Sequence, residues 1–133
     1  MADAQIGTWR SDPAKTTGYA EFREATGHAD KLPAEPEQVT LEISRNGDEW
    51  TVTSSKEGQP SHTVTLKEGE KKVTKGLDGA EIELEGHLEG DQWVLSINRG
   101  GVAVRSVARV ENGELVQEQT INGATVTTRF TRV

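Results

Sequence analysis

The stretch Glu81-Ile82-Glu83-Leu84-Glu85-Gly86-His87-Leu88-Glu89-Gly90-Asp91-Gln92-Trp93-Val94-Leu95-Ser96-Ile97 decides the fold. Ile82, Leu84, Gly86 and Leu88 take every second position against Glu81, Glu83, Glu85 and His87. A period of two sends alternate side chains to opposite faces of a β-strand, so one face is apolar and the other carries three carboxylates. Glu89-Gly90-Asp91 has turn composition, and Trp93, Leu95 and Ile97 then resume the apolar face. Two such runs joined by a short Gly-containing turn read as an antiparallel hairpin.

The same pattern extends in both directions. Val39, Leu41 and Ile43 alternate with Thr40, Glu42 and Ser44, and Asn46-Gly47-Asp48 leads into Trp50, Val52 and Ser54. His62, Val64 and Leu66 follow the turn-like Glu57-Gly58-Gln59-Pro60. Downstream, Val102, Val104, Ser106 and Ala108 oppose Ala103, Arg105, Val107 and Arg109; Asn112-Gly113 leads to Leu115–Ile121, and Asn122-Gly123 to a last strand over Thr125–Arg132. A first strand is expected over Gln5–Arg10. Short strands joined by tight turns make an up-and-down meander, and a meander this long protects its edges by closing. Asn-Gly turns and abundant Thr and Val fit this reading.

Composition narrows the function. The 133 residues suffice for one domain, expected to span 1–133, with a core that needs no crosslinks. Cysteine is absent, which excludes disulfides and thiolate chemistry and fits a reducing, cytoplasmic setting. A net charge of −7 opposes nucleic acid and anionic membranes, leaving at most transient membrane contact. No run is long enough to span a bilayer, and the first residues carry no signal-peptide pattern, which fits a cytoplasmic protein or a mature form whose leader has been removed. The hydrophobic fraction is only 32%, against roughly 45–50% apolar usage with Gly included in ordinary domains. Regular alternation argues against disorder as the cause and favours a hollow, partly polar interior.

One segment breaks the alternation. Between Ser11 and Gly27, Asp12 reads as an N-cap with Pro13 at the first helical position, Tyr19 and Phe22 share a helical face, and Gly27 is a natural stop. This predicts a helical cap over about residues 12–32, set between the first and second strands.

The order of these features resembles the intracellular lipid-binding proteins, the family of fatty-acid- and retinoid-binding proteins. The likeness rests on Gly7-Thr8-Trp9 at the first strand, a Tyr- and Phe-bearing helix ending in Gly, Asn46-Gly47-Asp48, and the ending Val126-Thr127-Thr128-Arg129-Phe130-Thr131-Arg132-Val133. It implies an all-β, ten-stranded antiparallel barrel of lipocalin/calycin-like class with a helical cap. It also implies a monomeric, non-enzymatic carrier of a fatty acid or similar small hydrophobic ligand, with no cofactor. In the family an inward Arg, followed two residues later by a Tyr, binds the ligand carboxylate; Arg129 matches the Arg, and Thr131 stands at the Tyr. The family's second inward Arg falls at Ala108, and the Lys56-Glu57-Gly58-Gln59 loop lacks the aromatic that many members carry.

Read from the residues, Arg129 shares a face with Thr127 and Thr131, while Val126, Thr128 and Phe130 take the other. If the first face is inward, the guanidinium needs a carboxylate or water; otherwise Phe130 packs inside and Arg129 meets solvent. Gln117 and Gln119 share the parity of Leu115 and are candidate polar partners of a ligand, unless the register puts Val116 inside. Trp93 and Tyr19 complete the candidate ligand-binding set, although a plain core and a cap fastening would look the same. His28, His62 and His87 lack metal-ligand spacing, Glu81, Glu83 and Glu85 fit a solvated face, and Lys71, Lys72 and Lys75 fit a solubilising edge. The competing function is a protective barrel holding only water, as in lipid-binding-like heat-soluble proteins of desiccation-tolerant animals.

Overall fold

In a computed structural model that describes residues 2–27, 35–56, 58, 61–75, 81–99 and 102–133, ten antiparallel strands form one sheet. They are β1 (Gly7–Ser11), β2 (Thr40–Asn46), β3 (Glu49–Ser55), β4 (His62–Lys67), β5 (Lys71–Lys75), β6 (Glu81–Glu89), β7 (Gln92–Arg99), β8 (Val102–Glu111), β9 (Glu114–Ile121) and β10 (Ala124–Arg132). The ladder runs β4-β3-β2-β1-β10-β9-β8-β7-β6-β5, so the last strand returns beside the first and the sheet curls into a nearly closed barrel. Trp50 on β3 and Trp93 on β7 meet edge-to-face across the interior, with ring centroids 5.6 Å apart.

The hairpin over residues 81–97 forms as its alternation predicts. Leu84 and Leu88 pair with Ile97 and Trp93 on the inner face, and Glu81 and Glu83 are exposed. Gly86 is buried in that row for a packing reason. A Cβ there would lie 2.7 Å from the Trp93 ring and 2.8 Å from Leu95, so the missing side chain is what lets both pack against β6. Trp9, Trp50, Trp93, Leu66, Leu115 and Phe130 anchor the core.

Three expectations need correction. The first strand begins at Gly7, because Ala2–Gln5 form a 3-10 turn across the end of the barrel. There Gln5 donates from Nε2 to the carbonyls of Ala108 at 2.8 Å and Asp91 at 3.2 Å, closing the floor. The helix is split: Asp12 does cap, accepting from the Ala14 N–H, but it caps a short 3-10 turn at Pro13–Lys15. Thr17 then bridges Thr127 through two backbone hydrogen bonds, and only after Gly18 does α1 (Tyr19–Ala25) begin. The β-branched pair Thr16-Thr17 favours extended backbone, and Gly18, at φ +76°, makes the reversal. Finally, Lys72, expected on a solubilising edge, turns inward on β5, a strand that apolar alternation does not mark. The remainder of the expected cap, residues 28–32, lies outside the described residues.

β4 and β5 are the two ends of the ladder and do not pair. Their seam is held by substitutes for a ladder. Lys72, on the inward face opposite Leu84, donates from Nζ to the Thr65 carbonyl at 2.7 Å. The Glu68 carboxylate accepts from the Leu88 N–H, and the Gly69 N–H bonds to the Gly86 carbonyl.

Candidate functional site

The barrel interior is apolar on most of its wall and polar on one part of it. Leu41, Trp50, Val52, Trp93, Leu95 and Gln117 are among the residues around a void with about 70 Å³ of water-sized space, within about 520 Å³ of unfilled volume that continues to solvent. Gln5 forms part of its floor. The void's surface is mostly hydrocarbon, which is suited to a hydrophobic guest and holds water poorly.

The polar part follows from register. Residues directly opposite on antiparallel strands share a face and stand about 4.5–5.5 Å apart at Cβ. One inner row runs Trp93, Ala108, Gln117, Thr128 across β7 to β10, and the next runs Leu95, Ser106, Gln119, Val126. Ser106, Gln117, Gln119 and Thr128 are therefore one contiguous patch on β8, β9 and β10. Ser106 is only 2% exposed. Their side chains make no hydrogen bond to a described residue. His62, inward on β4 opposite Ser54, also has a buried Nε2 without a partner among the described residues. A buried polar atom is ordinarily satisfied, so His62 Nε2 is a group to which water or a ligand can bond, and the half-buried Gln117, Gln119 and Thr128 add polar groups to the inner wall.

The sequence-predicted residues separate into two groups. Gln117 and Gln119 take the inner face, and Trp93 lines the void, packed against Trp50. Tyr19 sits half-buried on α1 at the cap; burial raises its phenol above its ordinary value, Arg23 counteracts this, and Glu37 adds to the rise. Arg129 and Thr131 share a face as expected, but that face is the outer one. Phe130 and Thr128 pair with Leu115 and Gln117 inside, which leaves Arg129 opposite Val116 on the exterior. There its Nη1 lies 3.5 Å from Glu114 Oε1, which also receives Lys15 at its other oxygen. Thr131 is exposed beside Arg10. Arg109 is outward too, ion-paired with Glu118 and Glu111, both of which raise its pKa. Arg129→Ala should accordingly leave interior binding unchanged and cost less than about 1 kcal/mol. Parallel ligand titration and urea unfolding check this; a clear loss of affinity would put Arg129 in the site.

Gln5, Ser106 and Thr128 were not legible as site residues. Gln5 carries no pattern signal, since only the 3-10 turn aims it at the floor. Ser106 and Thr128 do sit in alternating runs, and strand parity was the one signal for them. Among the described residues there is no cluster of three or more His, Asp or Glu fit to hold a metal, and no helix is long and apolar enough to cross a membrane.

Solved structures are similar to the chain over nearly its whole length. The fluorescent protein UnaG is 22% identical with a TM-score of 0.87, covering 100% of each chain. Fatty-acid-binding protein 1 of Echinococcus granulosus is 17% identical with a TM-score of 0.86, covering 98% of each. Secretory abundant heat soluble protein 4 of Ramazzottius varieornatus is 19% identical with a TM-score of 0.86, covering 96% of this chain and 94% of that one. No family model matches the sequence, and no curated protein matches it either. At these identities what is shared is the fold, which is that of the fatty-acid-binding proteins.

Proposed function

We propose that this fatty-acid-binding-protein-like barrel is an intracellular, non-enzymatic carrier that encloses a small hydrophobic or amphipathic ligand. The observation that carries the reading is an unfilled interior walled by Trp50, Trp93 and aliphatic side chains, beside a patch of inward-facing uncharged polar side chains. Burying a ligand's apolar surface there is favourable by about 25 cal/mol per Å², and the polar patch would orient its head. The cysteine-free chain suits the reducing cytoplasm, which we propose as its compartment. The void of about 70 Å³ is smaller than the roughly 300–1,000 Å³ of ordinary small-molecule sites. A ligand with a long tail therefore requires the interior side chains or the seam to yield as it enters.

Trp50 and Trp93 give the test a built-in reporter. Titration with a fluorescent fatty-acid analogue should quench their emission saturably, and native mass spectrometry should retain a one-to-one complex. Absence of both signals would remove the acid as the ligand, and their absence for the corresponding neutral amide as well would defeat the carrier reading. A second reading, a protective barrel whose interior holds only water, is favoured by the smallness of that void and by the carboxylate-rich outer face of β6. It expects a clean ligand-free mass and recovery of the native spectrum after heating or drying.

A further inference from the structure

We infer that the ligand's polar end is an uncharged group that both donates and accepts hydrogen bonds, such as a primary amide, and is not a carboxylate. This rests on the carrier reading and adds to it a choice among head groups. Ser106, Gln117, Gln119 and Thr128 form one patch across three adjacent strands, and none carries a formal charge. Two amides and two hydroxyls offer donors and acceptors in comparable number, which complements a group of the same mixed character.

Charges near this patch point elsewhere. On β8 and β10, Arg105, Arg109 and Arg129 all face out, and β9 carries no cation. Arg109 and Arg129 are already engaged by Glu118, Glu111 and Glu114. Arg132, near the barrel floor, lies over the Trp9 ring at 4.2 Å and donates to the Ile6 and Ala4 carbonyls. The inward Lys72 stands on β5, three strands along the ladder from β8, where it donates to the Thr65 carbonyl, and Arg23 on the cap has an interaction of its own. The carboxylates of β9, Glu114 and Glu118, are on the outer face as well, so an ammonium head would find no counter-ion among them.

Desolvation then decides the matter. An ion brought beside this patch loses its water and gains only the neutral dipoles of these four side chains, which does not repay its desolvation. An amide loses far less on leaving water, and Gln117 and Gln119 can replace its bonds in kind. His62, on β4 and five strands along the ladder from β9, could add one further partner to a neutral group through its buried Nε2.

The test uses three ten-carbon probes that differ only in the head: decanamide, decanoate and decylamine, titrated at neutral pH into the whole chain and followed by tryptophan emission and calorimetry. The expected result is that decanamide binds at least tenfold more tightly than either charged probe. Gln117→Leu with Gln119→Leu should shrink that preference to less than threefold, with thermal unfolding confirming that the variant folds. Equal binding of decanamide and decanoate, or tighter binding of decanoate, overturns the head-group inference while leaving the carrier intact. Binding of none of the three at their solubility limits removes the carrier reading together with the inference. The wild-type series decides the question even if the double variant does not fold.

Discussion

Replacing Gly18 by alanine is expected to unseat the cap and lower stability by about 2–4 kcal/mol, or roughly 10 °C in thermal midpoint. Gly18 occupies φ +76°, where an L side chain is strained. Any Cβ there would sit 2.0 Å from the Thr125 carbonyl oxygen, a backbone atom that cannot swing aside. The neighbouring Thr17–Thr127 bridge fixes the approach, so relief has to come from lifting α1 off β10. Gly27 provides the control. Its φ is +74°, but a Cβ there would meet nothing within 4 Å, so Gly27→Ala should cost only the conformational penalty of about 1–2 kcal/mol. Circular-dichroism melts of the two variants isolate the clash as their difference, and hydrogen exchange at residues 19–25 locates it. Equal destabilisation by both would mean that the cap is not seated on Thr125.

Trp9→Ala should cost about 3–5 kcal/mol, the range for emptying a buried aromatic site. Trp9 is 0% exposed, and its Nε1–H donates to the Gln5 carbonyl at 2.8 Å. Gln5 in turn closes the floor through Ala108 and Asp91, and Arg132, directly opposite Trp9 on β10, lies over the indole. Losing the ring therefore removes packing and loosens the plug as well. Trp9→Phe separates the two contributions: most of the apolar area stays, while the Gln5 carbonyl loses its donor, at about 1–3 kcal/mol. Urea unfolding measures both. Wild-type stability in Trp9→Phe would show that the indole N–H contributes nothing to the floor.

These two residues show what the sequence reveals and what it hides. The hairpin at residues 81–97 was legible because one parity is apolar and the other charged, so only one orientation buries hydrocarbon. β10 offers no such contrast. Its parities are Val126, Thr128, Phe130 against Thr127, Arg129, Thr131, and a threonine-rich strand tolerates either orientation. The pairing of Phe130 with Leu115 settles it, and pairing is a tertiary fact. β9 is ambiguous for another reason. Val116 faces outward yet is fully buried, between the outward Arg109 and Arg129, so an apolar residue on that strand does not mark its inner parity. β5 inverts the rule outright, with Val73 60% exposed and Lys72 turned in to hold the seam. The residue hidden most completely was Gln5, because its role depends on a turn that brings it beneath strands about a hundred residues away in the chain.

The seam between β4 and β5 makes the barrel a split ring, and a split ring can change its bore. Elsewhere, widening means breaking a ladder with several backbone hydrogen bonds at once. At the seam it means releasing the Lys72–Thr65, Glu68–Leu88 and Gly69–Gly86 bonds. The first two end on a flexible side chain that can rebond to water, at a net cost of about 0.5–1.5 kcal/mol for an ordinary bond and somewhat more where charge is involved. The wall opposite, β1 with β10 and β9, is joined by continuous backbone pairing. A tight bore and a bulky guest are then compatible in one molecule, because the closed volume measures the ring at rest and the seam determines how far it can open.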